Sequence, residues 1–267
     1  MLLSNRYEVI SKYMLGNRLA LNSDKTHFMI ISSQSQHRKN NYSGVILDTG
    51  SEIIKPSENE CILGLHVSND LSWNVHIASH EKSIVKTLTF KINGLSPLCY
   101  EADFKTSKIL ANGLVNSNLV YMIQLYGQAS DYLIKMLQVQ QNRAARLVTK
   151  LGWDTRTSEL LKQVGWLSVR QLFVFHSLVL VWKIKKSEKP YYLNKKFYKN
   201  FSYGTRQATS NCFVVNTTPR CEFSRKSFVH SSTVLWNTLP TDLRNSSTLQ
   251  AFKLKLKLWV IQNIQIK

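Results

Sequence analysis

The stretch LFVFHSLVLVW, from Leu172 to Trp182, constrains the fold most strongly because it is the longest apolar stretch of the chain. A membrane-spanning helix needs about 20 apolar residues, and no run of even 18 occurs in the sequence. Ser168 and Gln171 precede the stretch at capping-box spacing. The sequence therefore predicts a helix that is apolar on nearly every side up to Ile184 and lies buried at the centre of the C-terminal fold.

The residues before this helix divide into a mixed opening section and a helical section. Residues 5–20 have a helical pattern, and short β-type runs follow at His27–Ser33, GVILDT and Cys61–Val67. From Trp73 the apolar period becomes about 3.6, which predicts one helix that stops at Asn93-Gly94 and another over residues 101–125. The predicted fold is α+β, with a small β-containing part followed by mainly α-helical parts. The predicted domains are residues 1–72, 73–151 and 152–267.

A further predicted helix runs from an N-cap at Ser130 to Leu151 and has one apolar and one polar side. At 100° per residue, the polar side carries Lys135, Asn142, Arg143, Arg146 and Lys150. This arrangement predicts a nucleic-acid-binding face whose cations meet phosphates. A merely solvated basic face is the alternative.

The chain is strongly basic, with a formal net charge of +19. A charge of this size attracts polyanions, whether nucleic acid or an acidic membrane surface. Residues 161–267 hold 18 Lys and Arg against three acids, whereas residues 1–160 hold 17 against 13. The C-terminal part is therefore the basic part of the chain.

Two further C-terminal segments leave alternatives open. Residues 185–223 show no sustained period and predict a long loop, whose interleaved Tyr, Phe, Lys and Arg either stack on bases and hold phosphates or form a loosely ordered connector. Ser247 and Gln250 have capping-box spacing ahead of AFKLKLKLWVIQNI, which predicts a helix. The alternation in KLKLKL leaves a strand over Phe252–Leu258 as the other possibility.

Residues for catalysis or metal binding are not recognisable in the sequence. A two-metal polymerase site needs carboxylates that hold two divalent ions, and the sequence contains no DD, DxD or ExxH pair. Asp24, Asp48 and Asp70 stand in turn-like contexts, where Asp bonds the local backbone. The four cysteines form no CxxC pair, and His176 has no neighbour at ligand spacing. We therefore expect no catalytic residue and no metal site.

Several phrases, taken in order, resemble the downstream half of non-LTR (LINE-type) retrotransposon reverse transcriptases. NRLALNSDKTHFMIIS is similar to the segment after the active-site hairpin, where a Lys-Thr pair, here Lys25 and Thr26, leads into a palm strand. ECILGLHVSNDLSWNVHI resembles the Tyr-Leu-Gly strand pair and the Leu-x-Trp-x-x-His-Ile phrase after it, with Ile62 in place of the family's aromatic residue.

The later phrases are the more distinctive ones, and the resemblance covers about the whole chain. VNSNLVYMIQLYGQAS resembles the helix that ends in Leu-Trp-Gly, with Tyr126 in place of Trp, and QVQQNRAARLVTK resembles the Gln-Asn-Arg-Ala-Ala-Arg helix. RKSFVHSSTVLWNTLPTDLRNSSTLQAFKLKLK is similar to the Leu-Trp-Asn-x-Leu-Pro and Phe-Lys phrases near the end of such polyproteins.

The resemblance implies the palm end, thumb and C-terminal domain of an RNA-directed DNA polymerase. Lys25 and Thr26 would lie near the incoming nucleotide, and Leu63 and Gly64 would hold the primer backbone. The family's Asp-Asp hairpin would lie upstream of residue 1, so the ligands of the family's Mg²⁺ are missing and we expect no cofactor in this chain. The expected partners are RNA, DNA and the remaining palm and fingers portion of the enzyme, without a membrane, in the nucleus or cytoplasm.

Three functions from different classes stay open at this point. The first is a reverse transcriptase fragment that binds RNA and DNA without polymerising, with steep salt dependence. The second is a host-retained protein-interaction module, which predicts salt-tolerant association through an exposed apolar patch. The third is a non-functional transposon remnant that does not fold stably.

Overall fold

The computed structural model of the chain describes residues 2–20, 22, 25–40, 42–49, 53–197, 212–213 and 222–265. The chain forms two compact units, residues 1–83 and residues 84–267, which we call unit 1 and unit 2. All described strands lie in unit 1, and unit 2 is helical in its described parts. The predicted α+β fold, with a small β part and a mostly helical remainder, is confirmed. Asp24, Cys221 and most of the predicted loop over residues 185–223 lie outside the described residues.

Unit 1 contains short helices and two small antiparallel strand pairs, β1 with β2 and β3 with β4. Its helices are α1 (Leu2–Gly16) and α2 (Gln34–Lys39), followed by a 3₁₀ turn (Tyr42–Gly44). Its strands are β1 (Leu47–Asp48), β2 (Ile53–Ile54), β3 (Asn59–Ile62) and β4 (Leu65–Ser68), and a π-type turn (Val75–Ser79) closes the unit.

Two of the predicted strands are corrected by the structure. The run Cys61–Val67 is not one strand, because a two-residue turn at Leu63 (φ 49°) and Gly64 (φ 80°) divides it into β3 and β4. Positive φ at both central residues is the signature of a tight hairpin turn. The run His27–Ser33 forms no strand, since only Phe28 and Ser32 bond neighbouring backbone there, too far apart to make a ladder.

Unit 2 is built from helices that range from one turn to five turns in length. In chain order they are α3 (Ile84–Glu101), α4 (Phe104–Ala111), α5 (Ser117–Val120), α6 (Ile123–Tyr126), α7 (Asp131–Thr149), α8 (Thr157–Val164), α9 (Val169–Ser187), α10 (Tyr191–Asn194), α11 (Glu222–Arg225), α12 (Phe228–Asn237), α13 (Thr241–Arg244) and α14 (Leu249–Asn263).

Two of the predicted helix boundaries in unit 2 are also corrected. Helix α3 runs through Asn93-Gly94 because Ile92 and Leu95 continue its buried face, and burial of that face outweighs the low helix propensity of glycine. The single helix predicted over residues 101–125 is broken into α4, a π-type turn (Asn112–Asn116), α5 and α6. Met122, with φ of 55°, interrupts the chain between α5 and α6.

The predicted central helix is present as α9, and its capping box is confirmed. Ser168 Oγ accepts from the backbone N–H of Gln171 at 3.3 Å, and Gln171 Oε1 accepts from the backbone N–H of Ser168 at 3.0 Å. Buried side chains cover most of the helix surface, and the stripe of Leu172, His176, Leu180 and Lys183 is half-buried or exposed. Helix α9 packs against α7, α12 and α14.

An aromatic cluster joins α9 to the C-terminal helices. The rings of Trp182 and Phe252 stack with centroids 5.8 Å apart, and Phe252 lies 6.0 Å from Trp236. Asn237 exchanges two hydrogen bonds with the backbone of Phe213, at 2.9 and 2.8 Å. In the Leu-Trp-Asn motif, Trp236 is therefore a core side chain, and Asn237 fixes the backbone of Phe213.

The C-terminal segment is a helix, so the helical alternative of the prediction is confirmed and the strand alternative is wrong. The structure places the N-cap one residue later than predicted, because Thr248 Oγ1 rather than Ser247 accepts from the backbone N–H of Ala251. Phe252, Leu256 and Val260 are buried on one side of the helix.

Among the described residues, no single helix has the length and hydropathy needed to cross a membrane. Helices α8 and α9 meet that test only when they are taken together, with a bend of 49° between them.

A histidine cluster in unit 1 makes the stability of that unit sensitive to pH. His76 is buried, and its Nδ1 accepts from the backbone N–H of His66 at 3.4 Å. Burial, followed by the charge of His66, lowers the pKa of His76 from 6.5 to about 4. Burial and the charges of His80 and Lys82 lower the pKa of His66 as well. The folded unit therefore holds His76 neutral at pH values where an unfolded chain protonates it.

We predict that unit 1 loses stability as the pH falls from about 6.5 towards 4, by up to about 1.4 kcal/mol per pH unit for His76. Well above pH 6.5 the imidazole is neutral in both states and contributes no pH dependence. Hydrogen exchange of residues 59–77, corrected for intrinsic rates, measures the effect. His76→Gln should reduce the pH dependence of the stability of unit 1. An equally steep pH dependence in that variant would show that His76 is not its source.

Candidate nucleic-acid interface

Asn142, on the side of α7 that was predicted to face nucleic acid, belongs to an internal network of amide side chains with Gln138 and Gln141. Gln138 Nε2 donates to Gln141 Oε1 and to Asn142 Oδ1, both at 2.9 Å. Gln141 Nε2 donates to the carbonyl of Leu167 at 2.9 Å, and Asn142 Nδ2 donates to Thr157 Oγ1 at 2.8 Å. Asn142 is buried, so its predicted place on an exposed face is corrected. This network fastens α7 to the starts of α8 and α9.

The two arginines of the predicted face also bond within the chain. Arg146 donates to the carbonyls of Gly152, Trp153 and Thr155 at 3.3, 2.9 and 3.3 Å, and so holds the loop after α7. Arg143 donates to Gln140 Oε1 and to Asn93 Oδ1, both at 3.0 Å. Backbone carbonyls and side-chain amides therefore engage part of the donors that the sequence assigned to phosphate.

Of the two lysines on the predicted face, one is engaged and one is available. Lys150 is the left-handed C-cap of α7, and its Nζ donates to the carbonyls of Tyr100 and Ala102, at 3.1 and 3.3 Å, where α3 ends. Lys135 is exposed and has no hydrogen-bond or ion-pair partner within the described part of the chain. Helical periodicity located these side chains on one side of α7 but carried no information about what packs there.

The residues expected near nucleotide and primer all lie in unit 1. The backbone N–H of Lys25 and the hydroxyl of Thr26 both donate to Asn22, in a local turn. Leu63 and Gly64 form the turn of the β3–β4 hairpin, and Leu63 is exposed. The segment that follows Lys25 and Thr26 lies beside this hairpin, since His27 Nδ1 is 3.6 Å from Glu60 Oε1. The structure thus brings the two predicted segments into one unit without joining the four residues in a common site.

The two units differ completely in charge. Residues 1–83 hold eight Lys and Arg against eight Asp and Glu, and residues 84–267 hold 27 against eight. The whole net charge of +19 therefore belongs to unit 2. A polyanion is attracted to unit 2 and gains no long-range attraction from unit 1.

The densest group of cations in unit 2 lies where α9 ends and α10 follows. Residues 183–196 contain six lysines and one acid, Glu188, and we call this segment the α9–α10 corner. Its lysines are Lys183, Lys185, Lys186, Lys189, Lys195 and Lys196. Tyr191 and Tyr192 beside them are 67% and 73% exposed. Lysines that bind phosphates next to exposed aromatic rings that stack on bases are the elements of a single-strand binding surface.

Two lysines of the corner lie close to aromatic rings, and a third lies near a histidine. Lys186 Nζ lies 5.7 Å from the centroid of the Trp182 ring, and Lys195 Nζ lies 4.4 Å from that of Tyr191. Burial first, and then the charges of Lys253 and Lys183, lower the pKa of His176. The cluster is visible in the sequence as KIKKSEK, which was predicted to begin a loop. The structure instead places its first lysines in the last turn of α9.

The described residues contain no candidate metal site, although His66, His76 and His80 lie close together. No group of three or more His, Cys, Asp or Glu side chains in that part of the chain could hold a metal ion. Asp70 accepts from Ser68 Oγ at 2.7 Å and from the backbone N–H of Ser72 at 3.0 Å, which is the turn role predicted for it. Asp48 lies in β1 rather than in a turn.

Comparison of the chain with protein-family models, with curated proteins and with solved structures finds no match.

We predict that Arg146→Lys lowers the free energy of unfolding of unit 2 by roughly 1–2 kcal/mol, because lysine cannot bond three carbonyls at once. Lys135→Gln should change it by less than about 0.5 kcal/mol. Denaturant unfolding of the two variants measures both values. An Arg146→Lys variant that unfolds like the parent protein but binds RNA more weakly would show that Arg146 contacts phosphate instead.

Proposed function

We propose that this chain binds RNA and DNA through unit 2, as a fragment of a LINE-type reverse transcriptase downstream of the catalytic aspartates, and that it does not polymerise by itself. The observation that supports binding is the charge division: unit 2 carries all of the +19 excess. The sequence resemblance supplies the family, and the lack of any DD, DxD or ExxH pair supports the absence of polymerase activity.

Within unit 2, we assign the main contact to the α9–α10 corner rather than to α7. Arg143, Arg146 and Lys150 each use part of their donors for carbonyls and amides within the chain. Lys183, Lys186 and Lys189 are exposed, and no hydrogen bond within the described residues holds their ammonium groups. Lys135 remains a candidate contact on α7. Binding of this kind depends on counterion release and tolerates many sequences.

Unit 1 has a secondary part in this proposal. Lys25, Thr26, Leu63 and Gly64 would meet nucleotide and primer only when the remaining palm and fingers are present, because unit 1 alone has balanced charge. Mg²⁺ would likewise be held by carboxylates of that missing portion. The isolated chain should therefore bind nucleic acid through its basic unit.

The test is binding of the full chain to a labelled RNA hairpin and a DNA duplex across a salt titration. We predict that affinity falls steeply as salt is added. In Lys183→Gln/Lys186→Gln/Lys189→Gln the affinity should be at least about tenfold lower. The slope of log affinity against log salt concentration should also become shallower, by about 0.9 for each phosphate contact that is lost. The matched control is Lys12→Gln/Lys39→Gln/Lys55→Gln, which removes the same charge from exposed sites in unit 1.

The control should bind within about twofold of the parent protein, because neutral unit 1 adds little attraction. Equal weakening of both triple variants would mean that net charge alone governs binding and that the corner is not the contact. Absence of binding at low salt would overturn the proposed function.

A further inference from the structure

Helix α14 is apolar on two opposite sides, although only one of them meets the core. Phe252, Leu256 and Val260 are fully buried against unit 2. Leu254, Leu258 and Ile261, on the other side, are 64%, 64% and 52% exposed. Three large aliphatic side chains aligned on one exposed helix face are more than scattered surface residues.

The spacing of the exposed side chains is that of a coiled-coil seam. The half-buried Ala251 and the exposed Leu254, Leu258 and Ile261 follow one another at intervals of three, four and three residues, which are the a and d positions of a heptad. A stripe confined to a and d is narrow, and it fits one partner helix better than it fits a broad lipid surface. The occupant that matches this face is therefore another helix.

The residues beside the seam define the charge of that partner. Lys255 occupies the e position and Lys257 the g position, so a lysine lies on each side of the apolar stripe. Both are exposed, and Lys257 Nζ also donates to the carbonyl of Gly165 at 3.1 Å. Side chains at e and g select a partner by complementary charge. A second copy of this chain would bring the same lysines and another strongly basic unit, which repel.

We propose that the outer face of α14, formed by Ala251, Leu254, Leu258 and Ile261, is a docking site for an amphipathic helix with an apolar a/d seam and acidic e and g positions. This site is separate from the α9–α10 corner. It does not depend on nucleic-acid binding, and either proposal can fail without the other.

The probe is a designed helical peptide with Leu at a and d and Glu at e and g, labelled for fluorescence anisotropy against the full chain. Two matched peptides serve as controls, one with Lys at e and g and one with Ser at a and d. We expect binding of the Glu peptide at physiological salt, with at least about tenfold weaker binding of each control peptide.

Variants of the chain locate the contact. Leu254→Gln/Leu258→Gln should lower the affinity for the Glu peptide at least about tenfold. The control Phe90→Gln/Leu98→Gln changes two exposed apolar residues on α3 and should leave that affinity unchanged. Lys255→Glu/Lys257→Glu should reverse the preference towards the Lys peptide. Lys257→Gln controls for the lost contact with Gly165, and circular dichroism confirms that each variant is folded.

Three results would overturn the docking site. The first is a Glu peptide that does not bind. The second is binding that the leucine variant leaves unchanged and that salt abolishes, which would show a polyanion on the general basic surface. The third is a leucine-dependent association with vesicles containing anionic lipid that is stronger than association with the peptide, which would make a lipid surface the occupant.

Discussion

Burial of most of the surface of α9 is the constraint on which unit 2 depends. A helix with apolar residues all round must be enclosed by other helices, and α7, α12 and α14 meet this demand. Its first turn is held by the capping box, whose Gln171 also donates through Nε2 to the carbonyl of Ile264 at 2.9 Å. The same side chain therefore secures the start of the central helix and the end of the last one. At its other end the helix leaves the core and carries its lysines into solvent, so the element that organises the fold also positions the α9–α10 corner.

The second organising interaction is the polar network of α7. It gives the residues of the Gln-Asn-Arg-Ala-Ala-Arg motif structural roles within unit 2. Ala144 and Ala145 are fully buried, Gln141 and Asn142 reach neighbouring segments, and Arg146 holds a loop. A buried amide without a partner would cost free energy, so these residue types are required by the packing of three segments. A phrase with two arginines can thus be distinctive for structural reasons, without any contact to nucleic acid.

Features encoded by local chemistry were predictable from the sequence. The Ser168 capping box, the helix after Ser130 and the burial of most of α9 follow from spacing and apolar periodicity, and the structure has each of them. Features decided by partners distant in the chain were not predictable. Helix α3 continues past Gly94 because of its buried face, Asn142 turns inward because Thr157 and Gln138 meet it, and the turn at Leu63-Gly64 makes a hairpin of one apparent strand. The zero net charge of unit 1 could be calculated only once the boundary between Ser83 and Ile84 was known.

Nucleic acid should contact the basic unit and leave the neutral unit free. Hydrogen–deuterium exchange of the full chain with and without an RNA hairpin tests it directly, because each peptide reports its own protection. We expect slower exchange at residues 183–197 on binding and unchanged exchange throughout residues 1–83. Protection of the Leu63-Gly64 turn without protection of the α9–α10 corner would contradict it.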